Sequence, residues 1–400
     1  MGGEVALDSL LTRIEAGKSP SAEDTPAGEG EWGVLKVSAV QPGRFTAREN
    51  KVIRDPALVH PRYEVKRGDL LMTRANTEEL VGLACIAEEP PPRLLLSDKT
   101  LRLHVNTAVA EPKFVQLALV QPVTRQRIQV LATGTSAGMK NIGQDQVRQL
   151  CIPNVPLDEQ RRIVAAHAAF ERRIGALESM AAKKALLLDA LVERLVSFSK
   201  EDLVHLEDAG VAIDAGVTLG AHRVPHLRPT GYLRVANVRK GWIEGDIAQM
   251  EAIERDHRRY SLTPGDLLVV EGHADPEQIG RCAMVGPEQS GLLYQNHLFR
   301  LRFDDVLPEF AMLWLNSQAV RTYWKSRTAT SSGLYTINSS LLEAVPFPRA
   351  SRDTQDRVVG VWEAESRTLS LMRQRIAKLR LIQRAVIEDL LVRRTGVSAN

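Results

Sequence analysis

A chain of 400 residues is too long for one ordinary hydrophobic core and suits two or three domains. With 44% hydrophobic and 25% charged residues it has the composition of a globular protein, which excludes wholesale disorder and fibrous or collagen-like architecture. Its 52 Lys and Arg against 49 Asp and Glu leave a net charge of +3, so charge balance alone announces neither a nucleic-acid nor a membrane partner.

No apolar stretch approaches the roughly 18 to 20 residues that span a bilayer, and acids stand near the N-terminus where a secretory signal carries bases. The expectation is a cytoplasmic protein with no membrane partner. The three cysteines, Cys85, Cys151 and Cys282, are odd in number and never form a C-x-x-C pair, so they read as small buried hydrophobes.

Along the chain the second half echoes the first. Ser19 to Gly30, rich in Pro, Gly, Ser and acids, reads as a loop. Leu35-Lys36-Val37-Ser38-Ala39-Val40 then alternates as a half-buried strand does, and returns 198 residues later as Leu233-Arg234-Val235-Ala236-Asn237-Val238. Arg67-Gly68-Asp69-Leu70-Leu71 returns 197 residues later as Pro264-Gly265-Asp266-Leu267-Leu268, a Gly-Asp turn before a short apolar strand. β patterns cover Asp98 to Val105 and Leu298 to Phe303, and helical stretches follow Pro112 and Pro308. Thr133 to Pro153 aligns without a gap on Thr328 to Pro348, 195 residues on. The order and nearly constant offset of these blocks predict two structural repeats, each an α/β (α+β) globule.

Each repeat ends in a long helical pattern. After Pro156-Leu157-Asp158-Glu159-Gln160, Ile163, Phe170, Leu177, Leu191 and Phe198 recur every seven residues, with His167, Ile174, Ala181, Leu188 and Leu195 between them and Lys184 as an interruption. After Asp353-Thr354-Gln355, Val358, Met372, Leu379 and Val386 alternate with Trp362, Leu369, Ile376 and Leu390, interrupted by Glu365 and Gln383. Two such seams are most simply buried against each other as an antiparallel coiled coil. The predicted plan is a globule over 1–155, a long helix over 156–200, a second globule over 201–350 and a second long helix over 351–400.

Motifs for catalysis do not assemble. Gly28-Glu29-Gly30-Glu31-Trp32-Gly33 fits G-x-G-x-x-G, but it follows a polar loop, leads into a β pattern and carries two carboxylates, which a dinucleotide phosphate would not meet. Pro264, Asp266 and Glu271 are spaced as in a metal-dependent nuclease, yet His273 stands where Lys is wanted and the first repeat has Arg74 in place of Glu271. Asn338-Ser339-Ser340 reads as a polar turn or helix cap. No catalytic residue and no metal site is expected.

Matching loops carry contact-forming side chains instead. Arg74 and Asn76 are the residue types that bond guanine and adenine edges bidentately, while Glu271 and His273 occupy the comparable stretch of the second repeat, so the two repeats would read different bases. Thr135, Ser136, Lys140 and Asn141, with Thr330, Ser331, Tyr335 and Asn338, supply donors suited to phosphates. Arg373 to Arg380 places four cations and no acid on the second long helix, a solvated flank, a protein-docking face or a phosphate track.

These blocks resemble the specificity subunit of type I restriction-modification systems. The likeness is carried by Leu35 to Val40, Gly68 to Leu71, Ser97-Asp98 with Leu101-Arg102-Leu103, Gly134-Thr135-Ser136 with Met139 to Ile142, and Leu157-Asp158-Glu159-Gln160-Arg161-Arg162-Ile163-Val164. In the second repeat it rests on Tyr232 to Trp242, Gly265 to Leu268, Gln295-Asn296-His297 and Thr330 to Asn338. The resemblance implies a non-catalytic reader of double-stranded DNA with two target-recognition domains, one for each half of a split, asymmetric site. It makes the long helices a ruler that also docks two modification (methyltransferase) subunits, which a restriction (translocase) subunit can join. It adds Lys99, Asn296 and His297 to the DNA-contact candidates and marks Gln160, Arg161, Arg162, Gln355 and Arg357 as partner-binding. No cofactor is then bound directly, S-adenosylmethionine, ATP and magnesium belonging to the partner subunits. Two other readings stay open, a fragment of a fused methyltransferase or endonuclease and a coiled-coil scaffold without DNA binding.

Overall fold

Both repeats build the same strand plan in the computed structural model, which describes residues 3–134, 138–327 and 335–392. The first has an antiparallel sheet in the order Leu11–Ala16, Thr100–Val105, Leu70–Thr73, Ala84–Ile86. The second has Val211–Ala215, Leu298–Phe303, Leu267–Val270, Cys282–Met284 in the same order. Beside each lies a three-stranded sheet with one parallel pair, Leu94–Leu95, Gly33–Leu35, Asn50–Val52 in one repeat and Leu293–Tyr294, Pro229–Leu233, Ala248–Glu251 in the other. The mixed α/β class and the duplication are as the sequence predicts.

The apolar runs at the sheet centres follow from burial on both faces. Leu70 and Met72 enter one core cluster while Leu71 enters another, and Leu267 and Val269 part from Leu268 and Val270 in the same way. The turn before each run needs glycine, since Gly68 and Gly265 have φ of +89° and +95°. The next residue closes it, Asp69 accepting from the Lys66 N–H at 2.8 Å and Asp266 from the Thr263 N–H at 2.9 Å. Pro112 and Pro308 stand at the first turn of the helices Pro112–Leu119 and Pro308–Leu315, where a missing N–H costs nothing.

One prediction fails identically in both repeats. The strand expected over Leu35 to Val40 stops at Leu35 and gives way to a tight turn at Val37–Ala39, and that over Leu233 to Val238 stops at Leu233 before Val235–Asn237. Backbone bonds from Ala39 to Lys36 and from Asn237 to Arg234 close these turns. Six residues of alternation cannot tell a pleat from a strand end followed by one such turn.

The chain divides into two contact units, Met1–Leu177 with Arg375–Asn400, and Glu178–Gln374. Each therefore holds one globule with part of each long helix. Those helices are Leu157–Leu195 and Arg352–Val392, 39 and 41 residues, or about 60 Å of rise each. In the first unit Ile163 shares a core cluster with Ile387 and Leu391, and further along the helix Glu171 accepts from the Gln383 amide at 2.6 Å. In the second, Val196, one residue past the end of the first helix, packs with Val358 and Val359, and within the helix Lys184 is ion-paired to Glu365. Within each unit, advance along one helix is retreat along the other, so the pair is antiparallel as expected. The polar interruptions of the two seams take partners across the seam.

Ser19 to Gly30 is a loop, and Gly33 lies in a strand, so no phosphate cradle forms at Gly28 to Gly33. Asp266 is buried against Arg302, and no group of three or more His, Cys, Asp or Glu among the described residues is placed to hold a metal. Burial pushes the thiol of Cys85 up to about 12 and that of Cys282 upward too. No described helix is long and apolar enough to cross a membrane.

Candidate nucleic-acid interface

Three segments far apart in sequence meet on one edge of the first globule. The central strand leads into Arg74, whose N–H donates to the Lys99 carbonyl at 2.8 Å and whose carbonyl accepts from Ile142 at 2.9 Å. Just beyond, Ala75–Asn76 pairs antiparallel with Lys140–Asn141, setting Asn76 opposite Lys140. Arg74, Lys99 and Asn141 are exposed, and Asn76 and Lys140 half-buried. Four side chains of this edge are thus cations or amides around one exposed guanidinium. Thr135 and Ser136 lie outside the described residues.

Two lysines that sequence patterning did not single out stand near this edge. Lys36 and Lys51 line a cleft of about 470 Å³ together with Ser38, Ser97 and Lys99. Both reach Asp24, whose carboxyl the Lys36 hydrogen bond and the nearby lysine charges hold below the usual carboxylate range. Lys36 reads in the sequence as the polar partner in an alternating strand, and no local pattern marks Lys51.

The second globule repeats the frame with other side chains. Glu271 donates its N–H to the His297 carbonyl at 3.0 Å and accepts from Ile337 at 2.8 Å, and Gly272–His273 pairs with Tyr335–Thr336, setting His273 opposite Tyr335. The Glu271 carboxylate is bonded to His297 Nδ1 at 2.6 Å, and His273 Nδ1 accepts from the Asp275 N–H at 3.0 Å. Half-buried Asn296 sits beside exposed His297. Two expectations need correction. The Tyr335 ring is packed against the core, and the Asn338 side-chain oxygen accepts from the Leu341 N–H at 2.8 Å as a helix cap, so neither is fully available to a phosphate. Thr330 and Ser331 lie outside the described residues.

The long helices are corrected more sharply. Gln160 is 2% exposed, accepts from the Glu111 N–H at 2.9 Å, and donates to the carbonyls of Val155 at 2.8 Å and Val109 at 3.2 Å. Gln355 is 5% exposed, accepts from the Leu307 N–H at 2.8 Å and donates to Ala350 at 3.0 Å. These amides tie each helix to its own globule and cannot face a partner. Arg161 is half engaged by Glu111 at 2.9 Å, whereas Arg162 and Arg357 are exposed. Arg373, Arg375, Lys378 and Arg380 also face solvent. What the heptad count passed over is a duplicated apolar pair outside the seams: Leu186 and Leu187 are 71% and 70% exposed, and Leu381 and Ile382, 195 residues later, 65% and 40%.

No family model matches the chain. It is 30% identical over 204 residues to the specificity subunit of the Escherichia coli type I restriction enzyme EcoEI, a stretch that covers 51% of this chain and 32% of that one. It is 28% identical over 229 residues to the EcoKI specificity subunit of Escherichia coli K12, covering 52% and 48%. The matched stretch spans less than half the length of either relative. The fold matches the type I restriction-modification S subunit of M. genitalium over 98% of this chain and 96% of that one, with a TM-score of 0.51 at 14% identity. It also matches a chain of a type I restriction-modification system solved for its complex assembly and conformational transition, over 98% and 97%, with a TM-score of 0.60 at 16% identity. In fold over nearly its whole length, and in sequence over about half of it, the chain is similar to the specificity subunits of type I restriction-modification systems.

Proposed function

We propose that this chain is the DNA-recognition subunit of a type I restriction-modification assembly. Each globule reads one half of a split target, and the paired helices hold the halves at a set spacing. The carrying observation is the three-segment edge built twice on the same backbone hydrogen bonds, around Arg74 in one globule and Glu271 in the other, with different side chains on it. Lysines such as Lys36, Lys51 and Lys99 supply salt-dependent attachment to phosphates, and side chains that reach base edges discriminate. A duplicated body with a duplicated apolar pair on its helices fits two copies of one partner. In this reading those partners are modification subunits that bind S-adenosylmethionine, joined by a restriction subunit that uses ATP and magnesium, and the chain itself does no chemistry.

The test is enrichment of a random duplex library on the full chain co-expressed with the modification subunits of its own system. A motif of two short blocks with a fixed gap is expected at moderate salt. Retention independent of sequence, or none, overturns the reading and favours a scaffold. Methyl transfer by the purified chain alone would favour a fused enzyme.

A further inference from the structure

At the centre of each three-segment edge stands one residue, held in the same backbone frame and carrying the opposite charge. Arg74 and Glu271 make equivalent bonds, to Lys99 and Ile142 in one case and to His297 and Ile337 in the other. The residues before them are matched as well, Thr73 accepting from the Gly82 N–H at 2.9 Å and Val270 from the Gly280 N–H at 3.0 Å. Both side chains therefore leave their globules from the same point. Whatever base-pair step lies opposite Arg74 in one half-site has its counterpart opposite Glu271 in the other.

The chemistry at that point differs in a way that selects bases. Arg74 is exposed and its guanidinium has no hydrogen-bond or ion-pair partner among the described residues, so its planar fork is available for guanine O6 and N7. Glu271 cannot serve as a backbone contact, because phosphates repel a carboxylate. The donors open to it in the major groove are the exocyclic amino groups of cytosine and adenine. A carboxylate only accepts, so His297 Nδ1 carries the proton in their 2.6 Å bond and occupies Oε2, which leaves Oε1 to meet one donor. Adenine sets its amino group beside the N7 acceptor, which a carboxylate oxygen can only repel. Cytosine has no acceptor there.

We propose that Arg74 and Glu271 are specificity-determining side chains at matching positions of the two half-sites, Arg74 selecting guanine and Glu271 selecting cytosine. This rests on the DNA-reading function proposed above.

The experiment compares motifs enriched from a random duplex library by the complete assembly carrying wild-type chain, Arg74→Gln or Glu271→Gln. Glutamine pairs bidentately with adenine N6 and N7. Arg74→Gln is expected to change one column of one block from guanine to adenine. Glu271→Gln changes one column of the other block from cytosine to adenine, each with a change in preference of roughly 5- to 150-fold. No changed column, changes beyond the one column, or equal weakening on all sequences overturns the assignment while leaving the wild-type split motif, and with it the DNA-reading function, in place. A wild-type assembly that enriches no motif removes both.

Discussion

Replacing Gln160 with leucine keeps the volume of the side chain and removes its amide, so the cost isolates three hydrogen bonds. The Val155 carbonyl, in a fully buried bond at 2.8 Å, is left without a partner. The Glu111 N–H and Val109 carbonyl, bonded at 2.9 and 3.2 Å, are only part-buried and can regain water. One stranded buried group costs about 1 to 3 kcal/mol and the two wetter ones add less, so Gln160→Leu should destabilise the first unit by about 2 to 4 kcal/mol. Urea unfolding of the full chain followed by circular dichroism measures the loss. Hydrogen exchange localises it, because the Glu111 amide should lose its protection. Arg162→Ala, at the exposed residue two positions on, should stay within about 0.5 kcal/mol of wild type. If Gln160→Leu unfolds within that same margin, or Glu111 exchanges no faster, the amide is not the tie between helix and globule. Gln355→Leu should act in the same way on the Leu307 amide of the second unit.

Burial holds the His167 imidazole below the ordinary histidine value of 6.5. The unfolded chain then binds the extra proton first as pH falls below 6.5, so this residue subtracts stability on acidification, and His167→Gln should flatten the decline in unfolding midpoint between about pH 7.5 and about pH 5.5. An unchanged slope refutes that role. Leu186→Asp and Leu381→Asp, both at exposed positions, should leave thermal stability nearly unchanged, yet each should reduce the number of modification subunits bound per chain from about two to about one, read by native mass spectrometry. Full occupancy in both variants would mean the apolar pairs are not docking points. Inserting one heptad into both long helices at matched seam positions adds about 10 Å, close to three base pairs, while keeping the seams in phase. Methylation mapping should then show a target gap longer by about three, and an unchanged gap would sink the ruler.

What could be read from the sequence was whatever repeats at short range. The heptad seams from Ile163 to Leu195 and from Val358 to Leu390 were legible because a helix carries its burial pattern in its own spacing, and the Gly68-Asp69 turn because only glycine accepts its backbone. Burial decided by distant chain was not legible. Gln160 reads as a polar residue at a helix start, and only the folding of the 109–111 stretch over it turns it into an internal tie. Lys36 and Lys51 come to the same cleft as Lys99 through the pairing of three strands, which no local pattern encodes. Leu186 and Leu381 were passed over because counting seam positions ignores what lies outside them.

The two repeats also test each other. Where both need the same support the same contact recurs, in the Gln160 and Gln355 amides and in the Asp69 and Asp266 turns. On the three-segment edge the backbone pairing is kept, and Ile142 recurs as Ile337, while five other side chains change: Arg74 to Glu271, Asn76 to His273, Lys99 to His297, Lys140 to Tyr335 and Asn141 to Thr336. The fold does not require these differences, since both sets sit on one frame, whereas two unlike half-sites do. Installing the second set in the first globule, as Arg74→Glu, Asn76→His, Lys99→His, Lys140→Tyr and Asn141→Thr together, should therefore give the first block of the enriched motif the base preferences of the second. If the assembly still forms and its first block is unchanged, these five side chains only decorate the surface, and discrimination resides elsewhere in the globule.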